Sequence, residues 1–180
     1  MQVASPGWNA VPGSNGRLRI FSQVDKHAEL NDQSLVLYLA HAAGGALLTG
    51  DLERDGVRSL LADPAPGPVS LLKLPHHGSA GSTPELLCDQ LTVRQACVSV
   101  GRGNVYGLPA AGVLQELKQR EIPLWRTDFH GTLRFTPTAS GWEVARWQRG
   151  RFRNASGPVF AKNSTIGYPE DDESSQYSYR

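Results

Sequence analysis

The 180-residue sequence predicts an α/β fold, and three observations carry that prediction. Strand-sized apolar runs, S-L-V-L-Y-L-A (34–40) and V-S-L-L-K-L (69–74), alternate with amphipathic helical stretches. Clusters of Gly, Pro, Asn and Ser punctuate them. A composition of 39% hydrophobic and 19% charged residues is that of an ordinary globular domain with one core. A formal net charge of +1 selects no class of partner. No apolar run approaches the ~18 residues that a membrane span requires, and the first residues lack the charged and apolar regions of a secretory signal. Cys88 and Cys97 are too few for a disulfide scaffold and are expected to be small buried hydrophobes.

In chain order, residues 1–16 are rich in Gly, Pro, Asn and Ser without periodicity and are expected to be a flexible lead-in. Leu18, Ile20 and Phe21 form a short β-like stretch, and a polar linker carrying His27 follows. Residues 34–40 and A-L-L-T-G (46–50), separated by H-A-A-G-G, predict a hairpin ending at Gly50 and Asp51. Leu52, Val57, Leu60 and Leu61 recur at helical spacing until the Pro64–Pro68 stretch stops the helix. The strand 69–74 breaks at Pro75 and presents His76 and His77. Ser82-Thr83-Pro84-Glu85 then signals a helix start, with Ser82 or Thr83 as the cap. Residues 93–100 predict a strand, and Pro109 opens a helix with Val113, Leu114, Leu117 and Ile122 inward. Short β segments at 124–127, 132–136 and 142–147 close the domain, expected to span 17–148. Residues 149–180, with an Arg cluster, an acidic run and few aliphatics, are expected to be disordered.

Candidate chemistry gathers at strand ends, where α/β folds collect functional side chains. Asp51 and the His76–His77 pair close two strands. If those strands are neighbours joined by the intervening helix, the three side chains share one rim and could hold a divalent cation such as zinc or manganese. Asp51 can equally be the cap of the following helix. Ser79 either bonds a ligand or caps the turn. Asn104 and Tyr106 either hold their loop or touch substrate. Asp128, between two β segments, either lines the rim or makes a turn.

The motifs L-L-T-G-D-L, L-L-K-L-P-H-H-G-S, S-V-G-R-G-N-V-Y-G-L-P and W-R-T-D-F-H-G-T-L-R-F occur in this order over residues 17–136. Together they resemble the C-terminal half of the metallo-β-lactamase-like domain of ComEC-type DNA-internalisation (competence) proteins. The resemblance implies the second half of an αββα sandwich with its N-terminal half missing, and a dinuclear metal edge with Asp51 as bridging ligand and His76 or His77 as late ligand. It implies phosphodiester hydrolysis of incoming DNA, in a domain attached to a membrane channel. Ser79, Asn104, Tyr106 and Asp128 fall on the substrate side.

Two departures accompany the resemblance. No early His-x-Asp-x-Asp-His motif is present among the five histidines, and Leu108 stands where the family's loop carries a histidine. The sequence therefore implies an incomplete metal site, inactive alone, with a non-catalytic remnant or partner-binding half-domain as the alternative. A half-sandwich would expose an apolar face, which favours pairing with the missing half or with a second copy.

Overall fold

A computed structural model describes residues 6–23, 28–155 and 158. Alternation along the strands decides which layer covers each face of the main sheet. In β3 (Val36–Leu39), paired with β4 (Gly45–Leu48), Val36 and Tyr38 are buried while Leu37 and Leu39 turn to the opposite face. Val36, Tyr38 and Leu47 join one apolar core with residues of α1 (Arg54–Ala62), α2 (Pro84–Gln90) and α3 (Ala111–Gln119). From β5 (Val69–Lys73) Leu72 enters the same core, as do Ala96 and Val98 of β6 (Gln95–Val98) and Leu124 of β7 (Leu124–Arg126).

With β1 (Gly7–Ala10) and β2 (Leu18–Ser22), these strands form a seven-stranded sheet in the order β1-β2-β3-β4-β5-β6-β7. Pairing is antiparallel from β1 to β4 and parallel from β4 to β7. The parallel half is parallel because helices provide the crossovers, α1 joining β4 to β5, α2 joining β5 to β6 and α3 joining β6 to β7. The four-residue α4 (Thr127–His130) leads into a second, antiparallel sheet of β8 (Leu133–Thr138), β9 (Gly141–Gln148) and β10 (Arg151–Asn154).

The smaller sheet lies against the face of the large sheet opposite the helices. Trp142 fastens it: its indole Nε1 donates to Gly44 O at 3.1 Å and to Ser70 Oγ at 3.2 Å, and its carbonyl accepts from Gln95 Nε2 at 3.1 Å. Gly44, at φ +99°, is required there, because a Cβ at this position would run into the Ser70 side chain.

The α/β class holds, and the hairpin, three crossover helices and strands β5 to β9 lie where the sequence predicts them. The domain edges differ. Gly7–Ala10, inside the expected lead-in, pairs with β2 because Trp8 anchors it. Trp8 packs 5.5 Å from the Phe21 ring, and its backbone N and indole Nε1 donate to Asp63 Oδ2 and Asp63 O. Arg151–Asn154, inside the expected tail, forms β10, with the Phe152 ring 5.1 Å from Trp147. Residues 1–5, His27, and positions 156, 157 and 159–180 of the expected tail lie outside the described residues. An αββα sandwich has helices outside both sheets, whereas α1, α2 and α3 here all share the single core on one side of the large sheet.

On the opposite face, β2 and β3 present Leu18 and Ile20 beside Leu39 and Leu37, with Leu48 of β4 beyond. Leu39 keeps 40% of its surface exposed and Leu35 keeps 53%.

Candidate functional site

Parallel pairing of β4 and β5 brings their C-terminal ends to one rim. After β4 the chain turns at Gly50, φ +58°, and continues into Asp51, whose N–H donates to Ser34 Oγ at 3.0 Å. Asp51 does not cap α1. The cap position is Glu53, whose own N–H donates to Asp32 Oδ1 of the β2–β3 connection at 2.7 Å. After β5, a 3-10 turn over Pro75–Gly78 docks on the first rim segment through His76 N donating to Gly50 O at 3.2 Å. Both histidines sit in left-handed backbone, His76 at φ 42° and His77 at φ 53°. Non-glycine residues there cost about 1–3 kcal/mol each and persist only where the surroundings hold them.

The two imidazoles diverge, with ring centroids 6.3 Å apart. His77 Nδ1 lies 2.7 Å from the Ser99 carbonyl oxygen, so this nitrogen carries the proton and donates it. In the neutral ring, Nε2 is then an acceptor, and it faces Asp51 Oδ1 at 3.8 Å. Donation of the second ring nitrogen to a backbone carbonyl is the arrangement that orients metal-ligating histidines. The Lys73 ammonium donates to Gly50 O at 2.8 Å and lies 3.8 Å from the same Asp51 oxygen. Burial pulls the Lys73 ammonium below its ordinary value, with Asp51 acting in the opposite sense.

His76 turns to Glu53 instead. Its Nδ1 is 3.0 Å from Glu53 Oε1, close enough for an ion pair but not aligned for a hydrogen bond. Asn31 Nδ2 donates to the same carboxylate oxygen at 3.1 Å. Replacing His76 by Gly relieves a left-handed residue without breaking a directed hydrogen bond. His76→Gly is therefore expected to unfold at equal or slightly higher denaturant concentration, a gain of up to about 1 kcal/mol after the entropy cost of glycine. Equilibrium urea unfolding measures it.

The remaining candidates separate into those near this rim and those that hold structure. Ser79 Oγ is buried without a hydrogen-bond partner, so it does not cap the turn; the Ser79 N–H closes the turn on His76 O at 2.9 Å. The predicted helix caps are likewise not used as such: Ser82 Oγ donates to Ser79 O at 2.6 Å, and Thr83 Oγ1 is buried without a partner. Asn104 clamps its loop, its Nδ2 donating to Leu108 O and its Oδ1 accepting from Leu108 N, both at 2.9 Å. Ala110 N donates to Gly78 O at 2.9 Å, and Gly78 admits Pro109 so closely that a Cβ would lie 2.8 Å from it. The loop is thereby fixed over the histidine turn, with Tyr106 at its tip 81% exposed. Asp128 is buried in a two-bond pair with Arg126, Oδ1 to Nε at 3.0 Å and Oδ2 to Nη2 at 2.6 Å. Its carboxylate is committed to that pair.

Sequence reasoning missed Glu53, Asp32 and Ser99. Glu53 passes for an ordinary first-turn acid, Asp32 lies in a polar linker, and Ser99 contributes only a carbonyl. No local pattern in the sequence marks any of them.

The donor set does not complete a metal centre. Among the described residues, no three His, Cys, Asp or Glu side chains converge where a metal ion could sit. Zinc in proteins ordinarily takes three or four protein ligands, and Asp51 with His77 supplies two.

Comparison with known proteins gives the site a setting. No family model matches the chain. ComE operon protein 3 of Bacillus subtilis is 38% identical over 108 residues, covering 60% of this chain and 14% of that protein. Competence protein ComA of Neisseria gonorrhoeae is 30% identical over 135 residues, covering 71% of this chain and 20% of that protein. Recombination protein 2 of Haemophilus influenzae is 31% identical over 108 residues, covering 58% and 13%. The chain thus spans about an eighth to a fifth of the length of the curated relatives it matches. Their names support a competence-type family as the setting of this sequence. No helix among the described residues is long and apolar enough to cross a membrane.

Proposed function

We propose that the chain is the C-terminal portion of a metallo-β-lactamase-like phosphodiester hydrolase that acts on DNA in a competence system. One observation carries this reading. The Asp51 carboxylate and Nε2 of His77, a residue held in left-handed backbone, face each other across 3.8 Å beyond the ends of adjacent parallel strands. The Lys73 ammonium already lies 3.8 Å from the same Asp51 oxygen, and a divalent cation, zinc or manganese, would take the carboxylate in its place with His77 as second ligand. Similarity to a protein named for competence supplies the setting. Asp51 and His77 are two ligands of the centre, with the others supplied from outside this donor set. No hydrolytic step is assigned to these two residues alone.

The test is metal uptake. Titration of the purified chain with Zn²⁺ or Mn²⁺, followed by the His77 imidazole NMR signals and by metal analysis after dialysis, should show weak binding. Asp51→Ala and His77→Ala should each lower it about tenfold or more. If wild type retains no more metal than either variant, the reading fails.

A second reading, a non-catalytic half-domain that binds a partner, is favoured by one specific feature: the half-exposed leucine face of β2, β3 and β4. Faces of this kind mark association surfaces. Here the partner is the complementary half of the sandwich, a membrane channel domain or a second copy. Sedimentation velocity across a hundredfold concentration range should show the isolated chain associating. A single monomeric species throughout would remove the second-copy form of this reading.

A further inference from the structure

The arginine cluster that the sequence places at the start of a disordered tail stands instead on an ordered hairpin. Residues 131–155, which include the smaller sheet, hold five arginines and one carboxylate, Glu143. With 18 Lys and Arg against 17 Asp and Glu in the whole chain, everything outside this stretch holds more carboxylates than cations. Positive charge is thus concentrated on the smaller sheet.

Register sorts its side chains. Arg151, Phe152 and Arg153 oppose Gln148, Trp147 and Arg146. Facing residues of an antiparallel pair share one side of the sheet, and neighbours along a strand alternate. Phe152 and Trp147 therefore share the side turned away from the large sheet, since Trp142, five positions before Trp147, points toward it. Arg134, opposite Ala145, joins them, its guanidinium 4.4 Å over the Phe152 ring. Trp147 meets that ring at 75° and keeps 48% of its surface exposed. Arg151 and Arg153 take the other side of β10, the edge strand, and both are exposed. Among the described residues, no carboxylate forms an ion pair with Arg134, Arg146, Arg151 or Arg153. Glu143 lies four positions from Trp147, about 13 Å along the strand.

The hairpin so presents rings on one side and guanidinium groups along its edge. A single nucleic-acid strand has two matching sides, bases with open π faces and a phosphate backbone. We infer that the β9–β10 hairpin binds single-stranded nucleic acid laid along β10, a base stacked on Trp147 and phosphates at Arg151 and Arg153. Guanidinium planes take phosphate oxygens in pairs, and aromatic stacking accepts any base, so binding is indifferent to sequence. A duplex offers the same phosphates but keeps its base faces stacked inside, out of reach of Trp147. The inference rests on the phosphodiester reading for the class of polymer alone, and it gives the strand a holding surface that uses neither Asp51 nor His77.

The experiment uses the full chain in EDTA, so that metal plays no part. Binding of a fluorescein-labelled oligothymidylate of about fifteen nucleotides is followed by fluorescence anisotropy between about 25 and 200 mM salt. Arg151→Ala/Arg153→Ala should weaken binding about tenfold or more at low salt. It should also flatten the slope of log K against log salt by about 1.4, the loss of two phosphate contacts. Trp147→Ala should weaken binding about tenfold with the slope unchanged, and Trp147→Phe should recover most of that loss. Arg58→Ala/Lys118→Ala, which removes two charges from α1 and α3 across the large sheet, should bind like wild type. Arg151 and Arg153 are exposed, so their variant keeps the fold and tests the inference even where Trp147→Ala does not fold.

A chain that does not bind, or an arginine variant no weaker than the helix variant, would overturn the inference. The same holds if the duplex with oligoadenylate, or vesicles of phosphatidylglycerol, are bound as tightly as the strand. An arginine variant that binds normally but self-associates would also overturn it, because charge on the edge strand would then serve only to block pairing. Strand binding without metal uptake overturns the metal reading and leaves this one standing; metal uptake without strand binding does the reverse.

Discussion

Asp128→Ala is expected to destabilise the protein by about 3–5 kcal/mol, the cost of stranding one member of a buried ion pair. Arg126 and Asp128 are 7% and 3% exposed, and two parallel hydrogen bonds join the guanidinium to the carboxylate. The guanidinium also lies 4.5 Å over the Phe129 ring, which holds it in place but cannot neutralise it. Removing the carboxylate leaves a charged guanidinium in a site closed to water. The expected result is a large fall in the urea midpoint with an unchanged slope. Arg126→Met/Asp128→Leu, which removes both charges, should cost far less than the single change. If the single and double variants lose the same stability, the pair is not the source of the effect.

Trp142→Ala is expected to cost about 3 kcal/mol, at the low end for a large aromatic because the indole is only half-buried. Trp142→Phe keeps most of the packing and loses the bonds to Gly44 O and Ser70 Oγ, so its cost is about 1 kcal/mol. The alanine variant should detach the smaller sheet preferentially. Hydrogen exchange is therefore expected to accelerate at β8, β9 and β10 while β4 to β6 keep near-native protection. Uniform acceleration across both sheets would show that Trp142 does not act as a local fastening.

Apolar periodicity made the core legible in the sequence. The hairpin of β3 and β4, the leucines of α1, and β5 are each determined by residues a few positions apart, and local pattern reports such elements well. The edges were not legible for the opposite reason. β1 depends on Trp8 reaching Asp63, and β10 on Phe152 meeting Trp147, neither of which a composition rich in Gly, Asn or Arg discloses. At the site, the sequence placed Asp51 and the histidines at strand ends but left open which imidazole turns to the carboxylate. Ser99 answers that question, since its carbonyl draws His77 toward Asp51 while His76 turns to Glu53. Asp128 illustrates the same limit: the side chain that occupies it is only two residues away, yet the burial of both groups depends on the fold around them.

The large sheet holds its seven strands in the order in which the chain supplies them. Each new strand needs only its predecessor as a template, so no pairing waits for a distant segment and loop closure stays inexpensive in entropy. Such a sheet can be laid down vectorially as the chain leaves the ribosome, one edge advancing from β1 to β7. The last strand to arrive, β7, delivers Arg126 and leads into the Thr127–Asp128 turn, so this edge of the sheet forms only after the histidine turn is already in place.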